Sequence, residues 1–161
     1  MTPWVVDASP FVFLAKLDRL SVLMNRAPAV LMPQAVAQEI LAHQDQAASR
    51  VLEASGSWLE VAEVEDRLAV ELLLPSLGAG EAEVIALAKE RGATHVVMDD
   101  LDARRLARRV GLQPIGTLGL LLTARIQGEV PSLRTEILRL EAAGFYASKG
   151  LVAAVLEAAG E

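Results

Sequence analysis

The chain has 161 residues, 53% hydrophobic, 22% charged and only 4% aromatic, a length and apolar content that exclude a disordered segment and fit one domain with an aliphatic core. It contains no cysteine, which removes disulfides, thiolate metal sites and cysteine nucleophiles. Fifteen Lys and Arg against 21 Asp and Glu give a formal charge of −6, so contact with nucleic acid must come from a local basic patch rather than from overall charge.

The opening Met1-Thr2-Pro3-Trp4 lacks the basic and apolar pattern of a signal peptide. The densest apolar run, Leu118 to Leu122, is bounded by Gly116 and Arg125, well short of the roughly 20 residues of a membrane span. A soluble, cytoplasmic protein with no membrane partner is expected.

Trp4-Val5-Val6 is a short apolar strand ending at Asp7. Ser9-Pro10 then reads as N-cap and first helical position, with Phe11, Leu14, Ala15 and Leu17 at helical spacing behind it. Ala29 to Met32 is a second buried strand, and Pro33 opens a helix carrying Val36, Ile40 and Leu41. Trp58 to Val61 is expected as an edge strand. Gly78 and Gly92 bracket a strong helix with Val84, Ile85, Leu87 and Ala88 inward. His95 to Met98 forms another strand, ended by Asp99-Asp100, and the following helix runs to Arg109 with Gly111 closing it. Gln113 to Gly116 is the last strand. The remainder is helical, broken at Gly128, at Pro131 and between Gly144 and Gly150. Short continuous apolar strands alternating with helices predict an α/β fold: a three-layer α/β/α domain around a central, mostly parallel sheet.

In such sheets chemistry gathers beyond the carboxyl ends of the strands. Asp7 ends the first strand, and Asp99 and Asp100 end the strand at Val96-Val97, with Asp102 just beyond. Glu81 stands at the amino end of the Gly78–Gly92 helix, and Glu39 lies on the helix after the second strand. Carboxylates from distant parts of the chain can therefore meet on one rim. Clustered carboxylates repel unless a hard cation holds them, and an oxygen-only site suits Mg²⁺ or Mn²⁺. Such an ion activates water and steadies a phosphodiester in transit.

Each acid also has an ordinary structural reading. Asp99, Asp100, Asp102, Glu81 and Glu83 sit where helix caps and first-turn acids belong, and Glu39 suits a solvated face. Asp7 is the exception, because Ser9 is expected to supply the cap. Arg104, Arg105, Arg108 and Arg109 form the densest basic run; it either meets phosphate beside the acidic rim or solvates a helix end. His43 and His95 read as a solvated and a structural histidine. Gly78-Ala79-Gly80 lacks the further Gly and Lys of a phosphate loop. The tail stripe Leu151, Val152, Val155 and Leu156 either packs on its own core or meets a second subunit, and a homodimer is expected.

Asp7-Ala8-Ser9-Pro10, Leu14-Ala15-Lys16, and Pro33-Gln34-Ala35-Val36 with Glu39 resemble the opening of a PIN domain. The run Gly80 to Ala88, followed by Asp99-Asp100 and Ala103-Arg104, resembles its second half. Ile115-Gly116-Thr117-Leu118-Gly119-Leu120-Leu121 is similar to a PIN subfamily of uncharacterised predicted nucleic-acid-binding proteins. The resemblance covers nearly the whole chain, read as a single PIN-like domain over 1–161 with a C-terminal helical extension from about 129 to 161.

What it implies is a metal-dependent endoribonuclease using Mg²⁺ or Mn²⁺, in many members the toxin of a VapBC-type toxin–antitoxin pair, with RNA as substrate and an antitoxin protein as partner. The family's catalytic acids carry over onto Asp7, Glu39, Glu81 and Asp100, with Asp7, Glu81, Asp100 and Asp102 as metal ligands. Ser9 and Asp99 would support them, and Arg104, Arg105 and Arg108 would bind RNA. The family often places Thr two residues before the late Asp; Met98 stands there instead, with Asp99 between, which leaves Asp99 and Asp100 as alternative ligands. One rival reading is a haloacid-dehalogenase-like phosphatase with Asp7 as nucleophile, although Ser9 occupies the position where that chemistry wants a second Asp. The other is a catalytically inactive RNA- or protein-binding PIN module.

Overall fold

A computed structural model describes residues 2–161. These residues form β1 (Trp4–Val6), α1 (Ala8–Lys16), α2 (Ser21–Arg26), β2 (Val30–Pro33), α3 (Gln34–Leu41), α4 (Gln46–Ala54), β3 (Leu59–Ala62) and α5 (Arg67–Leu73). The chain continues through α6 (Ala79–Glu90), β4 (His95–Val97), α7 (Leu101–Arg109), β5 (Gln113–Ile115), α8 (Thr117–Ile126), α9 (Leu133–Ala142) and α10 (Lys149–Ala158). All the strand pairings are parallel, as the continuous apolar runs required. The result is the expected three-layer α/β/α arrangement, with helices covering a five-stranded sheet.

The strands are ordered β3-β2-β1-β4-β5. After β1 the chain builds outward through β2 to β3, then returns to the other side of β1 for β4 and β5. The order reverses between β1 and β4, and that switch point is where an open α/β sheet leaves a crevice at its carboxyl edge. Val5 pairs with Val96 and Val6 with Val97, so the residues that follow these two strands emerge side by side.

One aliphatic core runs from Val5 to Leu156, with Phe11, Leu14, Met32, Ile40, Leu87, Leu120 and Leu140 almost fully buried. Buried carboxylates tie helices to one another. Glu83 accepts from the Ala35 backbone N–H at 3.0 Å and from Arg67 Nη1 at 3.0 Å, fastening α6 to the first turn of α3 and to α5. Glu136 accepts from Arg19 at 2.8 Å and Arg139 at 3.0 Å, while Arg139 also donates to the Leu17 carbonyl. This holds α9 against the turn after α1.

Several local expectations shift. Ser9 lies inside α1 and is not its cap; Asp7 is, with Oδ1 accepting from the Ala8 N–H at 2.8 Å. Asp7 is extended at φ −79°, ψ 169°, as a cap residue directly following a strand should be. Glu83 is no first-turn dipole partner but the buried anchor described above. Pro33 ends β2, and α3 begins one residue later. Leu41 is exposed rather than inward. The tail stripe is turned largely onto its own core, with Val155 and Leu156 buried and only Leu151 of its four members largely open to solvent.

Candidate active site

The switch point gathers acids from four separate stretches of chain. Asp7 leaves β1 with its backbone N–H bonded to the Val97 carbonyl of β4 at 2.9 Å, and the residue is only 7% exposed. Burial drives its pKa up from 3.8 to about 7; the Ala8 N–H bond opposes this, and the charges of Glu81, Glu39 and Asp99 add to it. Glu81, in the first turn of α6, is also raised, first by burial and then by the Asp100 charge beside it, with a further push from Glu39. Its Oε2 is buried without a hydrogen-bond partner. A carboxylate oxygen kept from water and left unpaired is costly unless something else meets it.

Two of these carboxylates converge over Gly80. A Cβ on Gly80 would lie 3.4 Å from Asp7 Oδ1 and 3.6 Å from Glu39 Oε1, so both carboxylates reach the same bare patch of α6. Glu39 itself is solvent-exposed on α3. Asp100 caps α7, accepting from the Ala103 N–H at 2.9 Å through Oδ2, and lines the same cleft as Asp7 and Glu81.

Asp99 does a different job. Its carboxylate accepts from Ser9 Oγ at 2.8 Å, from the Thr117 N–H at 2.7 Å and from Thr117 Oγ1 at 2.8 Å. It thereby ties the starts of α1 and α8 to the end of β4. With three donors its oxygens are already occupied, whereas Asp100 spends only one on its cap. Asp102 stands apart: its side chain is 80% exposed and paired with Arg105 at 3.4 Å. Two residues along a helix is a rotation of about 200°, which sends Asp102 away from the face of Asp100.

The rim opens into a cleft of about 890 Å³ between the carboxyl edge and α10. Arg104 lines it, with Nη1 3.2 Å from where a Gly116 Cβ would stand. Its Nε is buried and unpaired. Arg105 and Arg108 are exposed on α7 and do not line that cleft. His43 is exposed in a turn, and His95 stacks on Trp4 with ring centres 4.8 Å apart. A separate hollow of about 670 Å³ near the amino ends of β2 and β3 carries Glu60 as its one charged lining residue, so titratable groups concentrate at the rim instead.

The donor set fits a hard divalent cation: oxygen ligands only, one of them orphaned, and one carboxyl whose charge is disfavoured first by burial and then by its neighbours' charges. Among the described residues no three Asp, Glu or His side chains are grouped closely enough to hold a metal ion as they stand. Thr117, Gly80 and Gly116 belong to the site but carry no site role in the sequence reading, although Gly80 opens one of the quoted motifs and Gly116-Thr117 lies inside another.

A parallel α/β sheet with carboxylates crowded at its switch point has the make-up of a nuclease-type fold. A family model described as a PIN domain matches residues 3–161, and the chain belongs to the PIN-domain family. PIN domains are in general metal-dependent nucleases. A comparison with curated proteins finds no match. No helix among the described residues is long and apolar enough to cross a membrane.

Proposed function

We propose that the protein is a metal-dependent endoribonuclease, with Asp7, Glu39, Glu81 and Asp100 as its working acids and Mg²⁺ or Mn²⁺ as its cofactor. The observation that carries the reading is the buried Asp7 carboxyl, raised to about 7 among Glu81, Glu39 and Asp99 next to the orphaned Glu81 oxygen. Asp7, Glu81 and Asp100 would hold the cation. When bound, a divalent ion there lowers the pKa of water and offsets charge on a phosphodiester. Arg104 binds a substrate phosphate across the cleft, where its planar donors suit phosphate oxygens. Glu39, solvent-exposed on α3 with Oε1 over Gly80 beside Asp7, would accept a proton from a bound water. Asp99 and Ser9 are positioning residues: their bond fixes the start of α1, and with it the cap that orients Asp7.

The finer reading extends this to a single PIN-like unit acting on RNA, as the toxin of a toxin–antitoxin pair and as a homodimer. Support for the pair comes from the family resemblance alone. The exposed Leu68 and Leu72 of α5 offer an apolar surface for a second chain.

The test is cleavage of a labelled RNA by the wild-type protein and Asp7→Asn, each with Mn²⁺ and with EDTA. Cleavage by the wild type with Mn²⁺ alone is expected. Equal cutting by Asp7→Asn, or by the wild type in EDTA, would remove the metal mechanism.

A further inference from the structure

The chain has only three Phe, two Trp and one Tyr, yet Phe13, Phe145 and Tyr146 all line the acidic cleft. Phe13 and Phe145 meet edge to face, centroids 5.1 Å apart at 87°, and both are half-buried. Tyr146 is 87% exposed. One exposed ring is ordinary on a protein surface, so exposure alone decides nothing. What is unusual is the company. Exposed Leu101 and Leu151 border the same cleft, Arg104 lies within it, and Lys16 Nζ stands 5.5 Å from the Phe13 ring centre.

The backbone presents these rings deliberately. Gly144 closes α9 at φ +97°, a left-handed conformation that favours glycine. The Phe145 N–H then bonds back to the Leu140 carbonyl at 2.9 Å. On the far side Ser148 caps α10 by accepting from the Leu151 N–H. The short connection is thus pinned at both ends, with Phe145 inward and Tyr146 outward.

We propose that this wall is a base-holding subsite: an unpaired base of a single-stranded RNA stacks on Tyr146 beside Phe145, while the adjoining phosphate meets Arg104. The inference rests on reading the rim as a nuclease site, and it assigns one base of the bound strand to the Tyr146 ring. Flat apolar rings beside cationic groups are how proteins hold single strands, because every base has a π-face and each phosphate a charge. A duplex keeps its base faces stacked on one another, out of reach of such a wall. A partner protein's apolar segment would use the leucines but has no need of an unpaired base, and that difference separates the two occupants.

The test uses Asp7→Asn protein, so that the probe is not consumed, and a single-stranded oligoribonucleotide carrying 2-aminopurine, with abasic and duplex forms for comparison. Adding Tyr146→Ala is expected to weaken binding by about 10- to 100-fold, the range for one lost stacking contact, and to abolish quenching of the probe. Tyr146→Phe keeps the ring and should stay within about 3-fold. The abasic strand should bind the Asp7→Asn protein more weakly yet show no further loss with Tyr146→Ala. Unchanged affinity in Tyr146→Ala, equal losses in Tyr146→Ala and Tyr146→Phe, or equal binding of duplex and single strand would each overturn the proposal.

The two readings separate cleanly. Tyrosine-dependent binding without metal-dependent cleavage by the wild type would keep the subsite and remove the nuclease. Cleavage indifferent to Tyr146→Ala would do the reverse. No RNA binding by any of these proteins would overturn both and leave a protein segment as the occupant of the wall.

Discussion

Asp7→Asn should stabilise the metal-free protein at alkaline pH while destroying its function. The Asp7 carboxyl sits at about 7 in the folded state against 3.8 for an ordinary aspartate. At about 1.36 kcal/mol per pH unit, that difference corresponds to about 4 kcal/mol. The sign follows from which state holds the proton more tightly. The folded state does, so the Asp7 contribution is most favourable below the ordinary carboxyl range and is lost as pH rises from about 4 through about 7. Asparagine keeps an oxygen to accept from the Ala8 N–H but carries no charge to bury. Urea unfolding in EDTA, at intervals from pH 5 to 8, should show the wild type weakening by about 3 kcal/mol relative to Asp7→Asn across that range. Adding Mn²⁺ at pH 8 should reverse the ranking, since a ligand that binds only the folded wild type stabilises it by mass action. A variant less stable than the wild type at pH 8 in EDTA, or parallel curves at all pH values, would refute the claim that burial among like charges governs this residue.

Gly80→Ala should separate stability from function in another way. The added methyl meets Asp7, Val36 and Glu39 at ordinary contact distances, and alanine favours a helix over glycine by about 1 kcal/mol. Thermal unfolding should therefore show an equal or slightly more stable metal-free protein, while isothermal titration shows weakened Mn²⁺ binding. Asp99→Ala strips the acceptor from Ser9 and both Thr117 donors, leaving the fully buried Thr117 unsatisfied. A loss of about 1–3 kcal/mol in urea unfolding is expected, and a loss near zero would deny Asp99 its structural role. Glu161 accepts from the Leu133 N–H, Ser132 and Arg125, and these bonds lower its pKa to about 2. Its contribution should persist above the ordinary carboxyl range and fade as pH falls toward 2. Acid unfolding followed by circular dichroism should find Glu161→Gln less stable than the wild type at pH 6, with the gap closing in acid.

Much of this architecture was legible because each central strand is a pure aliphatic run cut off by an acid: Val5-Val6 by Asp7, Val96-Val97 by the Asp99-Asp100 pair one residue beyond Met98. The abrupt change from apolar to charged marks both the strand and the edge where chemistry collects. The short helices α2, α4 and α5 were not singled out, since each turns few residues inward. Two of them still carry their signals in Asp45 and Asp66, which cap α4 and α5. The Ser9 assignment failed because both Asp7 and Ser9 are competent caps, and only the partner Asp99, far along the chain, decides between them. Strand order could not be read at all: nothing local to β4 says that it returns to lie beside β1. The aromatic wall was invisible for the same reason, since Phe13 and Phe145 lie near opposite ends of the chain and meet only in the folded structure. Asp102 was grouped with Asp100 by proximity in sequence, and helical geometry separates them.

The central claim is that the crowded carboxylates at the β1–β4 switch point form a divalent-cation site. Anomalous scattering from crystals of the full chain grown with Mn²⁺ tests it most directly. The account predicts a manganese peak with Asp7 and at least one of Glu81 and Asp100 at about 2.1 Å. A well-ordered rim with no peak at saturating Mn²⁺, or manganese bound only at outlying acids such as Asp102, would contradict it.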